Sequence, residues 1–264
     1  MTFYFGDILP YLPEMLTALW LSLWVTLASF VVGSALGILL SLAKTGPSRI
    51  ISGVASAYIE GVRNTPLLIQ LYLIYFGLPQ VGVQLNPLWS ALIGLTLNNA
   101  AYTAEIFRAG FASVPTGLRE AGTALALNKY QLFRHVVFKP GLRGIIPSLT
   151  NQLIILFLYS SVASVISMEE LTAVLLNINN TTLRTLEVFT YGAVLYWMTS
   201  ALIAYGARYV RGDVSRVVEE LQEEQREVQR MAQPDAEIPV IQVRNLDFSY
   251  GKVQVLFGID LDVR

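Results

Sequence analysis

The chain has 264 residues, of which 54% are hydrophobic and only 14% are charged, and its formal net charge is −1. Soluble domains carry about 25% charged residues, so this composition excludes an ordinary soluble protein and favours a membrane protein. The lack of Cys and the single His exclude a disulfide framework, a cysteine nucleophile and a His-rich metal site. The near-neutral charge argues against a nucleic-acid-binding surface.

The first predicted membrane span covers residues 15–43, which contain no Asp, Glu, Lys or Arg. About 20 apolar residues are enough to cross a bilayer. The preceding residues lack the basic stretch of a secretory signal peptide, so we predict a retained transmembrane helix. Small residues at every fourth position of this span predict close packing against another helix; they are Ser29, Gly33, Gly37 and Ser41.

Four further apolar segments predict an all-α polytopic membrane protein with five transmembrane helices. They cover residues 52–78, 88–109, 142–166 and 185–209. Lys and Arg are concentrated in the first and third connections and after the fifth segment, whereas the second connection is uncharged and the fourth holds Glu169, Glu170 and Arg184. The positive-inside rule therefore places the N-terminus outside and the C-terminus in the cytoplasm.

The third connection, residues 111–139, is basic, moderately amphipathic and predicted to be helical. Connections in helix bundles are usually about 2–8 residues long, and a longer one usually has a function. One interpretation is a helix resting in the lipid headgroups. The small residues Ala121 and Gly122 after Glu120 favour a helix that docks closely on a partner protein instead.

The character of the chain changes after the fifth segment. Residues 212–237 predict a charged helical linker that follows a transmembrane domain of residues 1–211. Residues 238–264 alternate apolar and polar side chains around a Tyr-Gly turn, which predicts a β-hairpin. Because an isolated hairpin is at best marginally stable, we expect these residues to begin a domain that continues beyond Arg264.

Placing polar residues inside a membrane span costs free energy, so those in the predicted spans invite a functional interpretation. Hydrogen bonding between helices is the alternative explanation for each of them, but together they suggest a hydrophilic path through the bundle. Pro66 is expected to break the second span and to leave backbone carbonyls without partners. The candidates for the substrate pathway are Arg63, Thr65, Gln70, Asn98, Asn99, Tyr102, Glu105, Asn151, Gln152, Ser160 and Ser161. No catalytic triad, carboxylate pair or metal cluster is visible, so the sequence does not predict an enzyme.

Three stretches resemble the permease subunits of ABC importers for polar amino acids: YIEGVRNTPLLIQLYLIYFGLP, LTLNNAAYTAEIFRAGFASVPTGLREAG and NQLI…SSVASVISMEELT. In that family a Glu-Ala-Ala-x-x-x-Gly motif forms a coupling helix that docks on the ATP-binding subunit. The resemblance implies ATPase coupling by Glu120, Ala121, Gly122, Leu125 and Ala126. Ala126 stands where the family has Gly, and Leu158-Tyr159 stands where a Lys-Asp pair is common.

The C-terminal residues are similar to the opening of an ABC ATPase domain, in the segments Val243–Leu246, Ser249–Gly251 and Val255–Asp260. In such domains an aromatic residue after the first strand stacks on adenine, which makes Tyr250 the nucleotide-binding candidate. The phosphate-binding loop would follow the last residue of the sequence. We therefore expect a permease–ATPase fusion whose ATP and Mg are bound by the ATPase domain and not by the permease.

These observations predict a permease subunit of an ATP-driven importer in the cytoplasmic (inner) membrane, for polar amino acids or similar small polar solutes. The resemblance implies an ATPase domain or subunit, a second permease and an extracytoplasmic solute-binding protein as partners. A first alternative is an ion-gradient-driven transporter or channel, supported by Glu60, Arg63 and Glu105 in the spans. A second alternative is a membrane anchor that transports nothing.

Overall fold

The structure is a computed structural model that describes the backbone of residues 4–232, 241–250 and 253–263. Side chains are described up to residue 208, apart from residues 121, 129, 139–140 and 142–143. Two compact units are present, residues 1–211 and residues 212–264.

In the first unit, the regular secondary structure of the described residues is all helical. The described helices of the chain are α1 (Leu12–Thr45), α2 (Arg49–Arg63), α3 (Leu67–Tyr72), α4 (Pro87–Ala112), α5 (Thr116–Ala124), α6 (Lys129–Gln131), α7 (Lys139–Tyr159), α8 (Leu171–Thr182) and α9 (Thr185–Ala232), and α9 runs from the first unit into the second. Shorter 3-10 turns cover Phe5–Tyr11, Leu78–Val81 and Ser160–Ile166, and π-helical turns cover Leu73–Gly77 and Leu132–Phe138. In the second unit, β1 (Ile241–Tyr250) pairs antiparallel with β2 (Val253–Val263).

Within the described residues, three helical stretches are long and apolar enough to cross a membrane: Phe5–Thr45, Gly144–Ile166 and Thr185–Arg208. The predicted second span is interrupted, because α2 ends at Arg63 and α3 begins at Leu67. The predicted third span is the 26-residue helix α4. Polar residues such as Asn98, Asn99 and Glu105 lower its mean hydropathy, which is why composition alone does not identify it as a span.

Close packing of α1 on α4 builds the centre of the bundle. The four small residues of α1 are all buried, and a Cβ atom added at Gly37 would lie 2.2 Å from Thr103 Oγ1 and 3.0 Å from the backbone N of Ala104. A Cβ atom at Gly33 would lie 2.8 Å from Asn99 Nδ2. The small-residue series is therefore confirmed as a helix-packing face, because the missing side chains are what bring the two backbones together.

Glu170 joins three helices at the start of α8. Its Oε1 accepts a hydrogen bond from the backbone N of Ala173 (2.9 Å), which caps the helix, and its Oε2 accepts one from the hydroxyl of Tyr196 on α9 (2.9 Å). Ser22 of α1 lies 3.5 Å from the same oxygen. The carboxyl group is fully buried, so this residue is part of the core, whereas the sequence suggested only a charged loop position.

Replacing Glu170 by Gln is expected to change how stability depends on pH. Burial raises the pKa of the Glu170 carboxyl above its ordinary value of 4.5. The folded chain therefore holds this proton more tightly than the unfolded chain. The contribution of this proton to stability is fully present when the pH is below the pKa of Glu170 in the unfolded chain. It is lost as the pH rises through the higher pKa of Glu170 in the folded chain. In Glu170→Gln this loss disappears.

The measurement is thermal unfolding of the purified chain from acidic to neutral pH. Glu169→Gln is the matched control, because the Glu169 side chain is exposed. A wild-type pH slope that persists in Glu170→Gln, or that vanishes in Glu169→Gln, would contradict this assignment.

Candidate transport pathway and coupling surface

The break between α2 and α3 is held by one amide side chain. Pro66 adopts an extended backbone conformation (φ −61°, ψ 138°) immediately before α3. Gln70 Nε2 donates hydrogen bonds to the carbonyl of Val62 (2.8 Å) and to the carbonyl and hydroxyl oxygens of Thr65 (both 3.0 Å). The predicted break at Pro66 is confirmed. The expectation of carbonyls without partners is wrong for Val62 and Thr65, because the Gln70 amide replaces the lost helical donors.

Amide side chains continue from this break into the bundle. Gln70 Oε1 accepts a hydrogen bond from Asn98 Nδ2 (3.1 Å), and Asn99 Oδ1 accepts one from Gln152 Nε2 of α7 (3.2 Å). Asn99 Nδ2 also donates to the carbonyl of Phe30 on α1 (3.3 Å). The buried Asn98 Oδ1 has no partner among the described residues. These amides therefore bond helices to one another and still leave one acceptor open in the same seam.

A cavity of about 510 Å³ lies beside this seam and is lined by Arg63, Tyr102 and Glu105, among others. The Arg63 guanidinium carbon lies 5.4 Å from the centre of the Tyr102 ring, a cation–π distance. Glu105 accepts from Lys44 Nζ (2.9 Å) through one oxygen and from Arg108 Nη2 (2.9 Å) through the other. Because both oxygens of Glu105 are paired with cations, this carboxylate acts first as a structural counter-ion.

The structure does not bring the remaining pathway candidates into this network. Asn151 is exposed and lines a separate cavity of about 220 Å³ that also contains Arg208. Ser160 and Ser161 donate to the carbonyls of Phe157 (2.7 Å) and Leu158 (2.6 Å) in their own turn. These two hydroxyls stabilise the end of α7.

The predicted coupling residues lie on and after α5. Gly122 is buried, and a Cβ atom added there would lie 2.4 Å from Leu132 Cδ1. Glu120 is exposed, and Leu125 is 76% exposed. The glycine therefore brings α5 against the π-helical turn, while Glu120 and Leu125 face outward. The side chain of Ala121 lies outside the described residues.

The turn after α5 has a left-handed residue. Ala126 has a φ of 55°, and the amides of Ala126 and Leu127 donate to the carbonyls of Thr123 (2.9 Å) and Gly122 (3.2 Å). This backbone conformation is unfavourable for residues with a Cβ atom and costs glycine little. The resemblance leads us to expect Gly at this position, and this backbone conformation is one that favours glycine.

Replacing Ala126 by Gly is expected to stabilise this turn by about 1 kcal/mol, because the left-handed conformation then costs less. The check is hydrogen exchange of the α5 amides in the full chain, which should slow. Ala124→Gly is the matched control, because Ala124 is the last residue of the helix and glycine there should speed exchange. Equal effects of the two substitutions would contradict the prediction.

The bundle has membrane-length helices around a seam of polar side chains, and the exposed helix α5 lies between α4 and α7 in the chain. This arrangement is that of a helical membrane protein of the transporter class. The chain belongs to the family of binding-protein-dependent transport system inner membrane components, whose model matches residues 33–216. This is a family of transport permeases, and its members are not enzymes.

Two curated relatives match over most of their length. The arginine transport system permease protein ArtQ of Bacillus subtilis is 31% identical over 202 residues, which cover 76% of this chain and 92% of ArtQ. The glutamine transport system permease protein GlnP of Escherichia coli is 32% identical over 207 residues, which cover 78% of this chain and 94% of GlnP. A solved structure of an amino acid ABC transporter with histidines has a TM-score of 0.77 at 31% identity, covering 81% of this chain and 100% of its own.

Two features of the site were missed from the sequence. Lys44 appeared only as a loop cation, yet it forms an ion pair with Glu105, which lies 61 residues further along the chain. Gln70 was a pathway candidate, but its role in satisfying the broken helix was not foreseen. A Gln four residues after the Pro of a helix break is the signal that points to it. The predicted nucleotide contact of Tyr250 lies outside the residues whose side chains are described.

Proposed function

We propose that this chain is the membrane-spanning permease subunit of an ATP-driven importer for polar amino acids or similar small polar solutes. The observation that carries the proposal is the match to amino acid permeases over more than nine tenths of their length. The polar seam through Gln70, Asn98, Asn99 and Gln152 supplies hydrogen-bonding groups of the kind that a polar solute needs inside an apolar bundle.

The proposed topology has five spans in the inner membrane, with the N-terminus outside and the C-terminus in the cytoplasm. The three apolar stretches support the first, fourth and fifth spans. The broken α2–α3 segment and the polar helix α4 supply the second and third. An interrupted helix is tolerated at membrane depth where protein groups satisfy its backbone, as Gln70 does here.

We propose that energy enters through the exposed side of α5. In this mechanism an ATPase partner moves Glu120 and Leu125, and the rigid contact between Gly122 and Leu132 transmits the motion to α7. Two permeases together form the path, and an external solute-binding protein delivers the solute. Residues 238–264 begin an ATPase domain in this proposal, with Tyr250 stacking on adenine, and ATP and Mg are bound there rather than by the permease.

A gradient-driven transporter is the second candidate, because Glu60, Arg63 and Glu105 are ionisable residues of the predicted second and third spans. The pairing of Glu105 with Lys44 and Arg108 argues against this candidate. A proton relay needs a carboxylate whose oxygens are free to exchange a proton with a neighbour, whereas both oxygens of Glu105 are engaged by cations. A simple anchor is the third candidate, and it gives the polar seam no role in transport.

The test is uptake of a labelled amino-acid panel by proteoliposomes that contain this chain, its ATPase and its solute-binding protein. Accumulation that requires ATP on the ATPase side and persists with ionophores is expected. Accumulation that does not require ATP and is abolished by ionophores would favour the gradient-driven transporter. Uptake that is absent under every condition, with the ATPase still assembled on the membrane, would favour the anchor.

A further inference from the structure

A third cavity, of about 490 Å³, opens where α1 ends. It lies between the last turn of α1, the end of α4, α5 and the π-helical turn, and it is separate from the amide seam. Its polar lining residues include Ser41, Arg108 and Arg119, and its apolar ones include Leu42, Phe111 and Phe133.

Two buried hydrogen-bonding atoms in this cavity have no partner in the part of the chain that the structure describes: Ser41 Oγ and Arg119 Nε. Ser41 is only 1% exposed. Arg119 uses another of its nitrogens to donate to the carbonyl of Phe111. Buried polar groups in native proteins almost always have partners, so these two donors, on residues that line one cavity, are available to an acceptor that the described chain does not supply.

The charge around the cavity favours an anionic acceptor. Arg108 is half-exposed and shares Glu105 with Lys44. Two cations, Arg108 and Arg119, line the cavity itself. A guanidinium group is well suited to phosphate, because its planar array of donors can bind two oxygens at once.

The position of the cavity favours a lipid over a free ion. The candidate span Phe5–Thr45 ends at its entrance, so the proposed topology places Ser41 and Thr45 at the level of the headgroups. Leu42, Phe111 and Phe133 offer an apolar surface beside the cations. Basic pockets between transmembrane helices at the membrane surface are a recognised site for anionic headgroups.

We propose that this cavity binds an anionic phospholipid, whose phosphate accepts hydrogen bonds from Ser41 Oγ and Arg119 Nε while its glycerol and upper acyl chains lie against Leu42, Phe111 and Phe133. The bound lipid fills the space between α1 and α5. The lipid site does not depend on which solute the protein transports. Its test is therefore separate from the test of the proposed function.

The test is native mass spectrometry of the purified full chain in detergent, titrated with phosphatidylglycerol. Arg119→Gln is expected to weaken the first phosphatidylglycerol binding step by about tenfold, the effect of losing a charge-assisted hydrogen bond. Ser41→Ala, which keeps the helix and removes one hydroxyl, is expected to weaken it less. Arg134→Gln is the matched control, because Arg134 is exposed and hydrogen-bonds only Tyr130 among the described residues.

Four results would overturn the proposal. Unchanged phosphatidylglycerol binding in both Arg119→Gln and Ser41→Ala would show that the lipid does not bind in this cavity. An equal loss in Arg134→Gln would show that only the net charge matters. Phosphatidylcholine binding as tightly as phosphatidylglycerol, or inorganic phosphate displacing the lipid at an equal concentration, would show that an anionic lipid is not what the cavity selects.

Discussion

Glu120→Lys is expected to reduce solute uptake at least about tenfold while the assembled transporter continues to hydrolyse ATP. Glu120 is exposed on α5, and the opposite side of the helix is fixed by the burial of Gly122 against Leu132. Reversing the charge leaves that packing intact and changes only the surface offered to the ATPase. A lysine there would repel any basic group of the ATPase that pairs with Glu120, and such like-charge contacts at an interface oppose docking. Uptake and ATPase activity measured in the same proteoliposomes check this result.

Glu169→Lys is the matched control for this experiment. It makes the same charge reversal at another exposed glutamate, which lies outside α5 and, in the proposed topology, on the opposite side of the membrane. A lysine there should leave uptake close to the wild-type value. Normal uptake in Glu120→Lys, or an equal loss in both variants, would show that Glu120 does not contact the ATPase.

Gly37→Ala is expected to destabilise the chain by about 1–3 kcal/mol, in the range of other overpacking substitutions. The added Cβ atom would meet Thr103 Oγ1 at 2.2 Å and the backbone N of Ala104 at 3.0 Å. Because one of these atoms belongs to the backbone, a side-chain rotation cannot relieve the contact and α1 has to move away from α4. Thermal unfolding in nanodiscs should show a midpoint lower by roughly 5 °C.

Gly53→Ala provides the comparison, because Gly53 lies inside α2 and no atom lies within 4 Å of its added Cβ. The same chemical change there should leave stability unchanged or raise it by up to about 1 kcal/mol, since alanine favours helix more than glycine does. A similar fall in both variants would mean that the glycine face of α1 is not the tight contact that the structure shows.

The helical class, the break at Pro66 and the packing face of α1 could all be predicted from the sequence. Each follows from a local rule: an apolar run, a missing backbone donor, or a repeat of small residues. The count of five spans is harder to establish in this way. Gln70, Asn98 and Asn99 lower the hydropathy of the two middle segments, and only tertiary contacts explain why these residues are tolerated inside the bundle.

The contacts within the candidate site were harder to predict from the sequence than the helices were. The residue types along the polar seam were foreseen, but their pairing was not, because Asn98 and Asn99 are adjacent in sequence and bond to different helices. Ser160 and Ser161 belong to the same list of polar residues, yet they bond to their own turn. Glu170 was interpreted as a loop charge, because a single sequence does not show that Tyr196 and Ser22 approach it.

The ion pair between Lys44 and Glu105 has a consequence for how the protein is made. The two residues are separated by 61 positions, so the ribosome completes α1 well before it supplies the carboxylate. In the proposed topology, Lys44 is then an unneutralised charge at the end of the first span, which is the condition under which a cation directs orientation. When α4 follows, the same ammonium group joins the two helices through Glu105. A substitution of Lys44 is therefore expected to disturb membrane insertion before it disturbs the finished fold.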